Sequence, residues 1–289
     1  MLIVVIGNNE YKIVTTDNSG EKPCPRVGSA STTLGDILYL FSGRGGLAMA
    51  PLEENGLIWS YSLSKHTWTP ITPLSADAPY PPGRSYHCMT NDGEEKLFVH
   101  AGCPEDGRLS DLWSFDITTK SWTELASAPD PPRGGTSITF ANGNLYRMNG
   151  FDGKTEQGGR IDVYDVTNNV WSSHTFPADG DSGPTPRSVS TLLAVAVNGK
   201  QSLVTLFGEQ DPSALGHAGA GKMLSDVWVY DIEGKTWTKA ESQGDDVPAA
   251  RGWFVAEVLK ANKGEIVVHG GLGEDNERLG DCWLLSFGS

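Results

Sequence analysis

The chain has 289 residues, a formal net charge of −14 and a pI near 4.8, with 35 glycines, 17 prolines and nine tryptophans. Such an acidic balance repels phosphate backbones and anionic headgroups, so nucleic acid and membrane surfaces are not expected as partners. Nothing approaches the ~20-residue apolar run of a spanning helix, and four scattered cysteines without a C-x-x-C pair point to buried free thiols in a reducing cytosol rather than a disulfide scaffold.

The opening "MLIVVIGNNEYKIVT" reads as strand rather than signal peptide, since no basic residue precedes a short apolar stretch. From there the chain repeats itself. An arginine with proline one to three residues before it starts each unit: Arg26, Arg84, Arg133, Arg187 and Arg251. Near each unit's end an aromatic stands seven residues before a tryptophan, as Tyr61 and Trp68, Phe115 and Trp122, Tyr164 and Trp171, Tyr230 and Trp237. A fifth copy begins as "DCWLLSFGS". Within the second unit, strands are predicted over 85–90, 96–101, 111–116 and 121–125, separated by turn residues.

Repeats of about 50 residues, four strands each with glycine closing the second, resemble the kelch type of β-propeller. The expectation is an all-β, single-domain chain over 1–289 with five four-stranded blades, six being the alternative count. The ring would be closed by "EYKIVT" from the N-terminus as the fifth blade's outer strand. The repeat tryptophans, His87, His100 and His269 are then packing residues.

By parity, the loops after every second strand share a face with the unit-starting arginines; Arg44, Arg108, Glu209, His217 and Trp253 fall there. Intervals between equivalent aromatics are 54, 49, 66 and 55 residues, and the excess of the third lies in "GEQDPSALGHAGAG", 208–221. The fold does not require that length. Glu209 and His217 offer carboxylate and imidazole donors that with a further carboxylate would suit a divalent metal; the competing reading has both hydrogen-bonding the loop's own turns.

The same stretch resembles the Glu-x-x-x-Asp-x-x-x-His loop of plant specifier proteins, the nitrile-specifier, epithiospecifier and thiocyanate-forming proteins, which are kelch propellers. Glu209 and His217 match that loop, while Ser213 stands where the family has Asp. "ARGWFVAEV" resembles the family's Arg-Gly-Trp segment, and "RSYH", "PPRGGTS" and "TPRSVS" resemble its blade starts. The resemblance implies Fe(II) on Glu209 and His217, with Asp211 or Ser213 as third ligand or no iron at all. It implies Trp253 as a pocket wall and Arg108, more weakly Arg44, as grips for an anionic substrate. The implied function is a lyase, rearrangement or cyclisation catalyst for a small molecule, with Glu209, His217 and Trp253 at the reacting centre. A metal-free variant uses Glu209 and His217 as acid and base. The alternative is a kelch module that binds a protein partner on the same face, and copper-oxidase chemistry is a distant third because no Tyr-Tyr-His-His set can be assembled.

Overall fold

The computed structural model describes residues 20–75, 77–215, 219–243, 246–259 and 264–287, and the strand backbone alone over 2–7 and 10–15. Its large sheets are antiparallel meanders that follow one another as blades of a β-propeller. Blade I runs Ala30–Leu34, Ile37–Phe41, Ile58–Ser62 and Thr67–Ile71; blade II Cys88–Asn91, Lys96–Gly102, Leu109–Asp116 and Ser121–Leu125. Blade III runs Ser137–Ala141, Asn144–Met148, Arg160–Asp165 and Val170–Thr175; blade IV Thr191–Val197, Lys200–Leu206, Val227–Asp231 and Thr236–Ala240. Blade V has Val255–Val258, Glu265–Leu272 and Arg278–Ser286.

The expected closure by the N-terminus is corrected here. Glu10–Thr15 pairs with Leu2–Gly7, and among the described residues blade V has three strands. The register sets Gly7 opposite Glu10, so the two strands are separated by two residues, Asn8 and Asn9. A hairpin that short closes at far less entropic cost than pairing across the whole chain length.

The repeat aromatics face each other across the outer strand pair, in register at Tyr61–Trp68, Phe115–Trp122, Tyr164–Trp171 and Tyr230–Trp237, with ring centroids 5.0–5.1 Å apart. The tryptophans also reach the preceding blade. Trp122 packs 5.4 Å from Phe41 and donates Nε1–H to the Gly56 carbonyl at 2.7 Å, while Trp171 does the same to Ala126. Trp122→Phe should therefore cost about 1–2 kcal/mol in urea unfolding, because the buried Gly56 carbonyl loses its donor. A cost indistinguishable from zero would show that the bond adds nothing. The core lies between blades: Phe41, Met89 and Phe115 fill the first junction, Phe98, Ile138 and Tyr164 the second, Met148, Leu192 and Trp228 the third, Leu206, Phe207 and Val268 the fourth.

The arginine and glycine markers are two ends of one device. At the end of each second strand the chain turns through two residues of positive φ, the second always glycine: Gly43, Gly102, Gly150, Gly208 and Gly271, φ +97° to +120°. At Gly102 a Cβ would stand 2.7 Å from the His87 Cβ, so no other residue fits there. Each marker arginine donates a guanidinium N–H to the carbonyl just before its own blade's glycine, at Ser42, Ala101, Asn149, Phe207 and Gly270. The glycine N–H in turn donates to the carbonyl of the next blade's arginine, as Gly43 to Arg84, Gly102 to Arg133, Gly150 to Arg187 and Gly208 to Arg251. These arginines are thus structural cross-links between blades.

Candidate functional site

Two residues past each marker arginine the backbone again has positive φ, at Gly28, Tyr86, Gly135, Val189 and Trp253. The N–H of each donates to the carbonyl of the one before, from Tyr86 to Gly28, Gly135 to Tyr86, Val189 to Gly135 and Trp253 to Val189, at 2.8–3.1 Å. This chain of bonds runs from blade start to blade start along the innermost part of the propeller, and two of its members carry large rings. Trp253 meets Tyr86 edge-on, centroids 5.5 Å apart and planes at 82°, so blades II and V touch and give the mouth an aromatic floor.

Around that floor stand the residues that follow the five glycines: Arg44, Cys103, Phe151, Glu209 and Leu272. Each is bridged to the residue after a marker arginine, Val27, Ser85, Gly134, Ser188 and Gly252. Equivalent positions therefore present a cation, a thiol, an aromatic ring, a carboxylate and an aliphatic group. The mouth is chemically polarised.

Its basic side lies on blades I and II. Arg44 donates Nε–H to Ser85 Oγ at 2.7 Å and Nη2–H to the Pro104 carbonyl at 3.1 Å. Arg108 lies over the Phe151 ring, its Cζ 5.1 Å from the centroid, and its buried Nε has no hydrogen-bond partner. Among the described residues neither arginine forms an ion pair. Cys103 feels both, yet burial dominates and pushes its thiol up, so it stays protonated. All four cysteines are free, but they are not fully buried as expected: Cys88, Cys103 and Cys282 are partly buried, and Cys24 is exposed, its Sγ accepting from Arg26.

The acidic side lies on blades III and IV. Glu209 is buried, and its Oε1 accepts the Gly221 N–H at 2.7 Å, which ties down the far end of the inserted loop. Ser213 Oγ accepts the Leu215 N–H at 3.1 Å, and Asp211 has φ +52° at the loop's first turn. His217 lies outside the described residues. Sequence reasoning missed Glu156. It bridges to Phe151, its buried Oε1 has no hydrogen-bond partner, and burial followed by the charges of Glu209 and Asp211 pushes its pKa up to about 7.

The described residues do not by themselves fit Fe(II). Glu209 and Ser213 each spend an oxygen on a backbone N–H, and no three His, Cys, Asp or Glu side chains among the described residues gather as a metal site. The arrangement can bind an anion on Arg108 and Arg44 and hold a proton on Glu156 beside it. No helix among the described residues is long and apolar enough to cross a membrane.

The chain is 23% identical to the N-(sulfonatooxy)prop-2-enimidothioate sulfolyase of Thlaspi arvense, over 81% of this chain and 68% of that protein, which supports the specifier resemblance. It is 30% identical to the flagellar outer arm dynein alpha chain of Chlamydomonas reinhardtii over 79% of this chain, and 21% identical to the leucine-zipper-like transcriptional regulator 1 homolog of Drosophila melanogaster over 94%. The matched regions are only 5% and 27% of those two proteins. The family model of the KLHDC2/KLHL20/DRC7 Kelch-repeats domain matches residues 2–208, and with its marker glycines, arginines and tryptophans in place the chain belongs to the kelch-repeat family.

Proposed function

We propose that the channel mouth is a small-molecule site with lyase chemistry of the specifier type, acting on a substrate with an anionic group. The observation that carries this reading is the polarised mouth: Arg44 and Arg108 without ion pairs on one side, and on the other Glu156 with its orphan oxygen beside Glu209. Arg108 and Arg44 would seat the anionic end by charge-assisted hydrogen bonds. Tyr86 and Trp253 form an apolar floor that excludes water beneath the substrate. Glu156, carrying its proton near neutrality, donates it to a leaving or rearranging atom and takes it back from solvent.

The compound in the Thlaspi arvense relative's name is the direct probe. Wild type is expected to turn over N-(sulfonatooxy)prop-2-enimidothioate, and Arg108→Gln to raise KM by roughly 10- to 100-fold, the worth of one charge-assisted bond. Running the assay with and without ferrous iron, on wild type, Glu209→Ala and His217→Ala, decides whether the loop uses a metal. Neither binding nor turnover under any of these conditions sinks the reading.

A protein-binding module is the second reading, favoured by the apolar loop tips on the same face: Leu47 is fully exposed and Leu215 is 73% exposed. In that case Arg108→Gln changes nothing, and Leu47→Ser with Leu215→Ser abolishes co-elution with a partner.

A further inference from the structure

Four of the five marker arginines grip a carboxylate: Arg26 with Glu54, Arg84 with Asp111, Arg187 with Asp226 and Arg251 with Asp281, each held by both guanidinium ends at 2.6–3.0 Å. In every case the acid also accepts Nε1–H of a tryptophan, Trp59, Trp113, Trp228 or Trp283. Blade III breaks the pattern. Aligned on its aromatic, Tyr164, the position of Asp111 is occupied by Arg160 and that of Trp113 by Asp162.

Arg133 is consequently left with carbonyls only. Its Nε–H goes to Pro131 and its Nη1–H to Asn149, and among the described residues it has no ion pair, although it is only 3% exposed. The one nearby buried carboxylate, Asp162, is already shared by Arg147 and Arg160. Arg133 thus feels the charges of Asp162 and Asp152 but pairs with neither, in a protein of net charge −14. Burial, then the charge of Arg147, weigh against the charged form of Arg133 and push its pKa down to about 9. A buried cation without a counter-charge is costly, and guanidinium does not readily escape by losing its proton.

Arg133 and Arg160 both line a cavity of about 270 Å³, with Gln157, Gly158, Gly159 and Thr175. We infer that this blade III cavity is a binding site for a small carboxylate ligand, which docks on Arg133 and Arg160 in the role that the other blades give to their own acid. The planar fork that holds Asp111 or Asp226 bidentately fits any carboxylate, and the cavity volume limits the rest of the molecule to a small one. The cavity shares no lining residue with those named at the mouth, and the inference does not depend on the function proposed there.

The test uses the full chain and acetate as probe, with chloride at matched ionic strength and neutral acetamide as controls. Acetate is expected to raise Tm saturably in wild type, and neither control to do so. Arg160→Asp restores the repeat's own acid opposite Arg133; it should weaken acetate binding by at least ~10-fold in calorimetric titration while remaining folded, since Arg147 still pairs with Asp162. Arg133→Gln should lose the response as well. Equal effects of acetate and chloride on wild type overturn the inference, as does an undiminished acetate response in Arg160→Asp.

Discussion

Arg84→Met is expected to destabilise the protein by about 3–5 kcal/mol, measured as ΔG from urea unfolding, because it breaks a buried ion pair by removing one partner only. Arg84 is fully buried, meets both Asp111 oxygens at 2.7 Å, and donates further to the carbonyls of Ala101 and Pro82. Without it, Asp111 keeps only Trp113 Nε1–H as donor, and the Ala101 carbonyl at the glycine turn loses its partner. Arg84→Met combined with Asp111→Leu should recover much of the loss, since the orphaned charge goes with its partner. A single-substitution cost below about 1 kcal/mol would mean that the cross-link is ornamental. The equivalent pair in blade V gives the pH signature. Arg251 holds Asp281 down to about 2, below the ~3.9 of an unfolded aspartate, so the stabilisation is complete above pH ~4 and lost as pH falls towards 2. Arg251→Met should flatten acid unfolding in that window.

Much of the fold was legible because each marker is fixed by a backbone requirement rather than by packing taste. Glycine closes every second strand because φ is near +100° there, and arginine starts every unit because it satisfies the carbonyl of that same turn. The aromatic–tryptophan spacing of seven is the span of one hairpin register. The N-terminal strand was misassigned because its β-pattern suits either partner, and only the cost of closing the longer loop separates them. At the site, Glu209 was visible as a carboxylate in the long 208–221 stretch, but its use as a staple for Gly221 was not. Glu156 stayed hidden in the unremarkable turn "FDGKTEQ", since what singles it out is its burial in the folded protein and then the charges of Glu209 and Asp211 from blade IV. The vacancy opposite Arg133 could have been read directly: "GGRIDVYD" lacks the D-x-W that blades II, IV and V carry.

Glu156→Gln carries the sharpest expectation for the mouth. A carboxyl with pKa near 7 when folded and ~4.3 when unfolded holds its proton in the native state across that interval. Its contribution to stability is therefore complete below pH ~4.3 and lost as pH rises through 7, so this residue alone makes wild type less stable with rising pH over that range. Glutamine cannot ionise. The variant should lose that slope and be more stable than wild type at pH 8 by about 1–2 kcal/mol, once solvent screening of a half-buried group is allowed for. Glu209→Gln separates the causes: it removes one of the two neighbouring charges but not the burial, so the midpoint at Glu156 should fall part of the way towards the ordinary glutamate range. Turnover should follow the same titration in wild type and lose it in Glu156→Gln, with KM for the anionic substrate held by Arg108. If stability and turnover of Glu156→Gln parallel wild type from pH 5 to pH 8, Glu156 holds no proton at neutrality, and the mouth keeps its anion grip without an acid to work beside it.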